Sequence, residues 1–276
     1  MCRLYGIRAS HPTRVHCELL AVQNSLFGQS QKDSRGFTNP HGWGIGAFRD
    51  GKTICRRQAD PAHESAAYRQ KALSTNAVAV VAHVRRATVG EPRLENTHPF
   101  CFENSFLAHN GHVDHFEEVG QKIRDHLPPA RREAIEGTTD SEHFFQLVLN
   151  EYVDREADSM AAALQAATCR LRRWVRQSPG DGEGGLGLNT LWVYDGKLAG
   201  TRLDRTLFMR TRDRACECDV CGRCHAEPGD ESYRFVEFAS EKLTADEDWE
   251  RVPDESIFWV DKSHRVQFEP MEDPQI

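Results

Sequence analysis

The second residue of the chain, Cys2, combines two groups that could act together in catalysis. A small side chain after the initiator methionine permits removal of Met1, which would leave a chain that begins with cysteine. Its thiol would then be a nucleophile and its free α-amine a base. The reference pKa is ~7.7–8.0 for an α-amine and ~8.5 for a thiol, so proton transfer between them is nearly balanced at neutral pH. Cys2 is therefore a candidate nucleophile, although a cysteine at this position alone does not establish one.

Four short polar motifs lie at the ends of predicted strands or at the start of a predicted helix. They are HVRRAT at 83–88, NTHPF at 96–100, LAHNG at 107–111 and TTDSE at 138–142. Each motif is weak evidence alone, because arginine at a strand end is usually solvated and Asn-Gly usually marks a turn. Their order behind an N-terminal cysteine is the informative feature.

In that order the motifs resemble the glutaminase domain of class II glutamine amidotransferases, which are N-terminal-nucleophile hydrolases. The opening MCRLYGIRAS and the GWGIG segment add to the resemblance, and the stretch at 240–253 is similar to a stand-alone branch of the family. The resemblance implies one glutamine amidotransferase type-2 domain over 1–276, folded as a four-layer αββα sandwich. It also implies hydrolysis of the γ-amide of glutamine or of a γ-glutamyl conjugate, which releases glutamate and ammonia or an amine.

The resemblance assigns the head group of such a substrate to two charged residues. Arg85 matches the arginine that binds the α-carboxylate, and a planar guanidinium is suited to a bidentate contact. Asp140 matches the carboxylate that binds the α-ammonium, and it stands at a predicted helix start, where an anion is favoured. The pair fits an amino-acid head group.

The remaining matched residues surround the amide. Asn110 and Gly111 match the oxyanion hole, through a side-chain amide and a backbone N–H. Thr88 and His98 match residues that line the glutamine pocket, and an ordinary packed histidine is the other interpretation of His98. The implied reaction passes through a γ-glutamyl thioester on Cys2, which water then hydrolyses.

The chain departs from the large class II enzymes because no acceptor domain is visible after the glutaminase-like region. The residues after the Asp195-Gly196 turn are predicted to form further strands. Two interpretations stay open: a free-standing amidohydrolase, similar to the ergothioneine-pathway hydrolase, or a subunit that supplies ammonia to a separate synthase. Arg86 stands where synthase-linked relatives often carry an aromatic residue. The sequence therefore defines the chemistry better than it defines specificity for glutamine over other γ-glutamyl compounds.

A second departure is the segment CECDVCGRCH at 216–225. Its overlapping Cys-x₂-Cys pairs predict a structural zinc site formed by Cys216, Cys218, Cys221 and Cys224, with His225 as a spare ligand. A loop of reduced thiols is the alternative. An iron–sulfur run is less consistent with the sequence, because the following Cys-Pro is missing. The predicted catalysis needs no cofactor.

Composition limits the classes of protein further. The formal charge of −7 and the pI of about 6.0 give no general reason to bind nucleic acid or an anionic membrane. The sequence lacks an apolar run of ~18 residues and a recognisable secretory signal, which predicts a cytoplasmic protein with a small-molecule substrate. Either a synthase partner or a homo-oligomer is compatible with these features. In that compartment the nine cysteines are expected to be reduced, and the scattered ones to pack as small apolar side chains.

Hydrophobic patterning predicts an α+β fold with strands concentrated at both ends of the chain. A helix is expected from Val15 to Phe27, a hairpin turn at Asp50-Gly51, and a buried strand from Ala77 to Val84. Thr139 is expected to cap a helix. A Cys-rich insertion at about 214–230 and an acidic C-terminal tail complete the expected domain.

Two other functions compete with glutamine chemistry. An N-terminal cysteine amidase for bile-salt or penicillin-like amides shares the Met-Cys start, but it does not explain Arg85 together with Asp140. A non-catalytic interaction protein could use the Cys-rich loop for binding, but it leaves the nucleophile and the oxyanion pair unexplained.

Overall fold

The strands and helices of the chain come from a computed structural model that describes residues 2–178, 185–213, 218–226, 232–245 and 248–272. The strands are β1 (Arg3–Arg14), β2 (Trp43–Arg49), β3 (Lys52–Gln58), β4 (Asn76–Val84), β5 (Phe100–Phe102), β6 (Ser105–Val113), β7 (Leu186–Tyr194), β8 (Lys197–Arg202), β9 (Phe208–Arg212), β10 (Phe235–Ala239), β11 (Glu250–Arg251), β12 (Ser256–Val260) and β13 (Val266–Pro270). The helices are α1 (His16–Leu20), α2 (Leu26–Gln31), α3 (Ala66–Ser74), α4 (Phe116–His126), α5 (Pro129–Glu133), α6 (Asp140–Leu149) and α7 (Met160–Arg176).

These strands form two antiparallel sheets that pack face to face. The first sheet has the order β11-β9-β10-β1-β4-β2-β3, and the second has the order β13-β12-β8-β7-β6-β5. One apolar cluster lies between the sheets, a second joins the first sheet to α1, α2 and α3, and a third joins the second sheet to α4, α6 and α7. The result is the expected α+β arrangement of four layers, αββα.

The alternating direction of side chains along the central strands explains why both sheets are covered on both faces. In β1, Leu4 belongs to the cluster between the sheets and Tyr5 to the cluster under the first helical layer. In β7, Leu191 faces the other sheet and Trp192 faces the second helical layer. Successive side chains of a strand point to opposite faces, so apolar residues at both parities produce a strand that is buried on both sides.

Glycine in the GWGIG segment lets the two sheets approach closely. A Cβ built at Gly46 of β2 would lie 2.7 Å from a ring carbon of Phe106 in β6. Any larger residue would have to displace that buried ring. The small residues of this segment therefore set the spacing between the layers at this point.

A disulfide joins an edge strand of one sheet to an edge strand of the other, through Cys55 of β3 and Cys101 of β5. The expectation that all scattered cysteines are reduced was therefore wrong for this pair. The two residues are 46 positions apart in sequence, and only the stacking of the sheets brings their Cα atoms to 6.8 Å.

Several local predictions were confirmed and two were wrong in detail. The Asp50-Gly51 hairpin and the buried β4 form as expected, and Thr139 caps α6 by accepting a hydrogen bond from the N–H of Glu142. The single helix expected at Val15–Phe27 is instead split into α1 and α2, because the Ser25 hydroxyl caps a new helix start by accepting from Gly28. The strand expected to end at Asn110-Gly111 continues to Val113, so both residues lie within β6.

Among the described residues, no helix is both long enough and apolar enough to cross a bilayer.

Candidate active site

Cys2 directly precedes β1 and lies against the start of the loop that follows β4. Its Sγ accepts a hydrogen bond from the backbone N–H of Arg86 at 3.3 Å, and the thiol lies 3.4 Å from the carbonyl of the same residue. Strand β1 pairs with β4 in the register Arg3 to Val84, so the strand ends bring Cys2 to residues 85–86. The sheet itself positions the candidate nucleophile.

Burial and nearby charges act on the Cys2 thiol in opposite directions. Burial raises the pKa of this thiol, and that effect outweighs the Arg86 N–H and the Arg85 guanidinium, both of which lower it. The Asp140 carboxylate adds a smaller increase. A thiol with a raised pKa is protonated at neutral pH, so it needs a base before it can attack.

Arg85 is the first residue after β4 and is almost completely buried. Its Nη1 donates to the carbonyl of Glu91, at 3.0 Å, and its Nη2 donates to the carbonyls of Val89 and Gly90, at 2.8 and 3.0 Å. These three bonds hold the loop at 86–91 around the guanidinium. Within the part of the chain that the structure describes, three of its five N–H groups are used in this way.

Asp140 is the first residue of α6, and its carboxylate is buried next to β6. Oδ2 accepts from the N–H of Val113 at 3.1 Å, and Oδ1 accepts from the N–H of Ser141 at 2.8 Å. The helix start supplies N–H groups that favour a negative charge there. The sequence prediction that Asp140 stands at a helix N-terminus is confirmed.

The two residues predicted for the oxyanion hole are consecutive in β6 and face in different directions. Asn110 has the same strand parity as Ala108, which packs between the sheets, and its Nδ2 donates to the Ser240 hydroxyl at 3.3 Å. Ser240 in turn accepts from the N–H of Leu4 at 2.9 Å, two residues after the nucleophile. Gly111 lines the cavity at Cys2, and a Cβ there would collide with the carbonyl of Gly187.

His98 is buried and borders the cavity, where its ring packs against two other rings. The centroids of His98 and His83 lie 4.2 Å apart, and those of His98 and Phe100 lie 4.7 Å apart. Burial lowers the pKa of His98 well below its usual value, with the neighbouring histidines and arginines adding to the effect. The ring is therefore neutral at pH 7, and His98 is both a lining residue and a packed histidine. Thr88 borders the same cavity and is exposed.

Sequence reasoning missed His109, which is buried at the floor of the cavity. Its Nε2–H donates to the Gly187 carbonyl at 2.9 Å, and its Nδ1 lies 2.8 Å from the Ser141 hydroxyl. Burial lowers the pKa of His109, so the neutral ring has Nδ1 as an acceptor. The Ser141 hydroxyl also contacts Asp140 Oδ1 at 3.1 Å. His109 thereby connects β6, β7 and α6, and its place beside Asn110 was the signal that could have revealed it.

A second missed residue, Asn96 of the NTHPF motif, connects two of the loops around the cavity. Its Nδ2 donates to the Glu91 carbonyl at 3.0 Å, and its Oδ1 accepts from the N–H of Thr138 at 2.8 Å. The first loop carries Arg85 and the second leads into Asp140. Asn96 is fully buried and fixes their relative position.

One small cavity therefore brings together most of the residues that the sequence singled out. Of the residues predicted for catalysis and substrate binding, all but Asn110 line it, and Asn110 is adjacent to Gly111 in β6. The lining residues are Cys2, Arg85, Arg86, Ala87, Thr88, Val89, His98, His109, Gly111, Thr139, Asp140 and Ser141. A thiol, a buried cation and a buried anion in one cavity suit a zwitterionic substrate.

Of the zinc ligands predicted for the Cys-rich segment, Cys218 and Cys221 lie close enough for their thiols to interact with each other and with the thiol of Cys17. Cys216 lies outside the described residues. Cys224 packs against the cluster that contains Ala9 and Tyr233. The described part of this segment also places Cys221 and His225 beside His16 and Cys17.

Comparison with known proteins gives one consistent result. A family model described as "Glutamine amidotransferases class-II" matches residues 1–273. The chain is 27% identical over 297 aligned positions to the probable glutamine amidotransferase DUG3 of Saccharomyces cerevisiae, covering 95% of this chain and 82% of that protein. It is 37% identical over 86 positions to the gamma-glutamyl-hercynylcysteine sulfoxide hydrolase of Mycobacterium tuberculosis, covering 30% of this chain and 36% of that protein.

The solved structures support the fold. The glutamine aminotransferase class-II domain protein of Silicibacter pomeroyi superposes with a TM-score of 0.64 at 16% identity, covering 98% of this chain and 99% of that chain. At this identity the likeness concerns the fold alone. The four-layer αββα sandwich implied by the family resemblance is confirmed.

Proposed function

Because the chain belongs to the class II glutamine amidotransferases, we propose that it hydrolyses the amide bond of a γ-glutamyl compound through a thioester on Cys2. The observation that carries this proposal is that the Cys2 thiol, the Arg85 guanidinium and the Asp140 carboxylate border one cavity. The finer assignment of substrate and mechanism rests on this arrangement.

The head group of the substrate fits the two buried charges. Arg85 would bind the α-carboxylate and Asp140 the α-ammonium, each by charge-assisted hydrogen bonds. The guanidinium now donates to the carbonyls of Val89, Gly90 and Glu91. A bidentate grip on a carboxylate therefore requires part of these contacts to be exchanged, so substrate binding would rearrange the loop at 86–91.

The first chemical step needs a base, because burial raises the pKa of the Cys2 thiol. After removal of Met1, the α-amine of Cys2 takes the thiol proton. The thiolate then attacks the amide carbon, and the oxyanion forms against the Gly111 N–H and the Asn110 side chain. Collapse of this intermediate breaks the C–N bond, the protonated amine returns a proton to the leaving nitrogen, and a γ-glutamyl thioester remains.

Hydrolysis completes the cycle. The α-amine of Cys2 accepts a proton from water, the hydroxide attacks the thioester carbon, and the same oxyanion site stabilises the second intermediate. Glutamate leaves, and the thiol is regenerated with its proton. No cofactor takes part in these steps, and the proposal places the enzyme in the cytoplasm with a small-molecule substrate.

We favour a free-standing hydrolase of γ-glutamyl conjugates over an ammonia-supplying subunit. The hydrolase from Mycobacterium tuberculosis named above matches this chain over 86 positions. In addition, Arg86 at the cavity edge packs its guanidinium 4.1 Å from the ring centroid of Phe37. This pair offers a cationic and aromatic surface to the leaving amine.

The test is an assay of the purified chain with glutamine and several γ-glutamyl amides side by side, following glutamate and the released amine. Intact mass should show loss of Met1. Cys2→Ala should abolish turnover with an unchanged melting temperature, and Cys2→Ser should retain little, because an alcohol is the weaker nucleophile. Turnover by Cys2→Ala within tenfold of wild type would refute the mechanism, and activity only in the presence of a synthase would favour the ammonia-supplying role.

A further inference from the structure

The Cys-rich segment and the first helix bring four metal-binding side chains together. His16 and Cys17 begin α1, and Cys221 and His225 come from the segment at 218–226. One ligand atom from each of the four lies within 4.8 Å of every other. This cluster is separate from the cavity at Cys2 and shares none of its lining residues.

Backbone hydrogen bonds hold the late segment against the end of β1. The N–H of Arg14 donates to the His225 carbonyl at 3.1 Å. Because Arg14 lies two residues before the start of α1, this bond holds His225 next to that helix. Within the segment, Gly222 donates to the Cys218 carbonyl at 2.7 Å and adopts a φ of +62°. Glycine adopts this left-handed conformation without strain, so it permits the tight turn that presents Cys221.

The distances suit a tetrahedral zinc ion. Zn–S and Zn–N bonds of the usual lengths give an S···N edge of about 3.6 Å in a tetrahedron. The Sγ of Cys221 lies 3.4 Å from Nε2 of His225. The rings of His16 and His225 have their centroids 4.8 Å apart, and the Cys17 thiol is fully buried among the four. Two thiolates and two imidazoles are a common zinc ligand set.

A carboxylate stands behind one of the imidazoles. Glu18 Oε1 lies 3.6 Å from Nδ1 of His225, the nitrogen opposite the one that faces Cys221. Metal-bound histidines commonly direct their second nitrogen at a carboxylate, which fixes the orientation of the ring. The other oxygen, Glu18 Oε2, is buried and makes no hydrogen bond within the described residues.

We propose that His16, Cys17, Cys221 and His225 form a structural zinc site, with Glu18 orienting His225. Four protein ligands close the coordination sphere, so the site has no position for a substrate. Its effect is to tie α1, which follows the nucleophile strand β1, to the 218–226 segment. Of the four thiolates predicted from the Cys-x₂-Cys pairs, this ligand set keeps Cys221, and it also uses His225, the predicted spare ligand.

The experiment measures zinc content by elemental analysis of the purified full-length chain and of single variants. We expect about one zinc per chain, and at least a tenfold loss in Cys17→Ser and in His225→Asn. The matched controls Cys224→Ser and Cys169→Ser should keep their zinc. Zinc lost in Cys224→Ser but kept in His225→Asn would overturn this ligand set, as would zinc lost in Cys218→Ser but kept in His16→Gln.

A second measurement avoids reliance on variants whose folding is impaired. Chelation of the wild-type chain should lower Tm by at least about 5 °C, and added zinc should restore it. Replacement by Co²⁺ should give the intense visible absorption of a tetrahedral site. The proposal is overturned if the chain is purified without metal, binds no added zinc and shows no increase in Tm when zinc is added. These readouts do not depend on turnover, so failure of the zinc site and failure of the proposed hydrolase are distinguishable.

Discussion

Arg3 donates a hydrogen bond from Nη1 to the backbone carbonyl of Cys2 across 2.9 Å, although its side chain is almost completely buried. The rest of the guanidinium is held by two carboxylates, with Nε 2.6 Å from Glu241 Oε1 and Nη2 2.8 Å from Asp33 Oδ2. Glu241 also accepts from the hydroxyl of Ser34 at 2.7 Å. The backbone of Cys2 is thus tied to a buried ionic network that includes Asp33 and Glu241.

We therefore expect Arg3→Lys to lower both stability and turnover. Lysine keeps the charge but cannot make the three directed contacts, so the free energy of unfolding should fall by about 1–3 kcal/mol. Misplacement of Cys2 should reduce kcat by about tenfold or more with little change in KM. Urea unfolding and steady-state kinetics test this. Arg49→Lys at an exposed Arg49–Asp50 pair is the matched control, and equal behaviour of the two variants would contradict the positioning role.

Arg85→Lys should weaken substrate capture despite conserving the charge. A lysine cannot hold the carbonyls of the 86–91 loop and a carboxylate with the same planar geometry, so kcat/KM should fall roughly ten- to a hundredfold, mainly through KM. The measurement is steady-state kinetics on one γ-glutamyl substrate. Arg131→Lys, which alters a buried arginine paired with the exposed Asp154, controls for the general cost of the replacement. An unchanged kcat/KM in Arg85→Lys would exclude Arg85 as the carboxylate ligand.

The contact between Asn110 and Ser240 predicts non-additive kinetics. Asn110→Ala should reduce kcat by about 10²–10³-fold, because it removes a donor to the oxyanion. Ser240→Ala should have a smaller effect, about tenfold, because it frees the Asn110 amide to move. If Ser240 acts through Asn110, the double variant should be no slower than Asn110→Ala alone. A double variant whose two losses multiply would show that Ser240 acts independently.

We expect the free energy of unfolding to fall in mild acid, because two buried histidines are neutral in the folded state. Burial lowers the pKa of His83 to about 3, with Arg85 and His109 contributing. Burial also lowers the pKa of His98 well below its usual value. Both side chains have a pKa near 6.5 when unfolded, so below this pH the unfolded state binds more protons than the folded state. The free energy of unfolding should then fall by up to ~1.36 kcal/mol per pH unit for each histidine.

Urea unfolding between pH 7.5 and 4.5 measures this slope. His83→Leu removes one titrating group from a buried site, so its slope below pH 6.5 should be shallower than that of wild type. His11→Leu serves as a control, because His11 is only partly buried whereas His83 is fully buried. Parallel curves for wild type and His83→Leu would contradict the assignment.

The parts of the site that the sequence predicted are those encoded in short local motifs. Arg85 follows β4, Asp140 begins α6, and Gly111 lies in β6, so each depends on one element and its end. Cys2 needed only its position in the chain. The family resemblance then supplied the relation among these motifs, and the described structure places them around one cavity.

The features that the sequence did not predict depend on distant pairs. Arg3 and Glu241 are 238 positions apart, and Cys55 and Cys101 are 46 apart, so neither pair has a local signature. The Cys-x₂-Cys spacing suggested ligands from one segment, whereas the cluster in the structure also draws on α1. Spacing identifies side chains that could bind a metal but does not determine which elements the fold brings together.

The hydrogen bonds of Asp140 and His109 make the start of α6 and the end of β6 one rigid unit. Val113 and Ser141 are bound to the Asp140 carboxylate, and His109 reaches Ser141 from the same strand as Gly111. Under the proposed function, the ammonium site and the oxyanion site are then a fixed distance apart. This distance determines which side-chain length places the amide carbonyl at the oxyanion donors. Asparagine, one methylene shorter, would place its carbonyl about 1 Å or more from the oxyanion donors, and a displacement of that size can reduce the rate by about 10²-fold. Selectivity for γ- over β-amides would follow from the rigidity of this unit, without any residue that contacts the extra methylene.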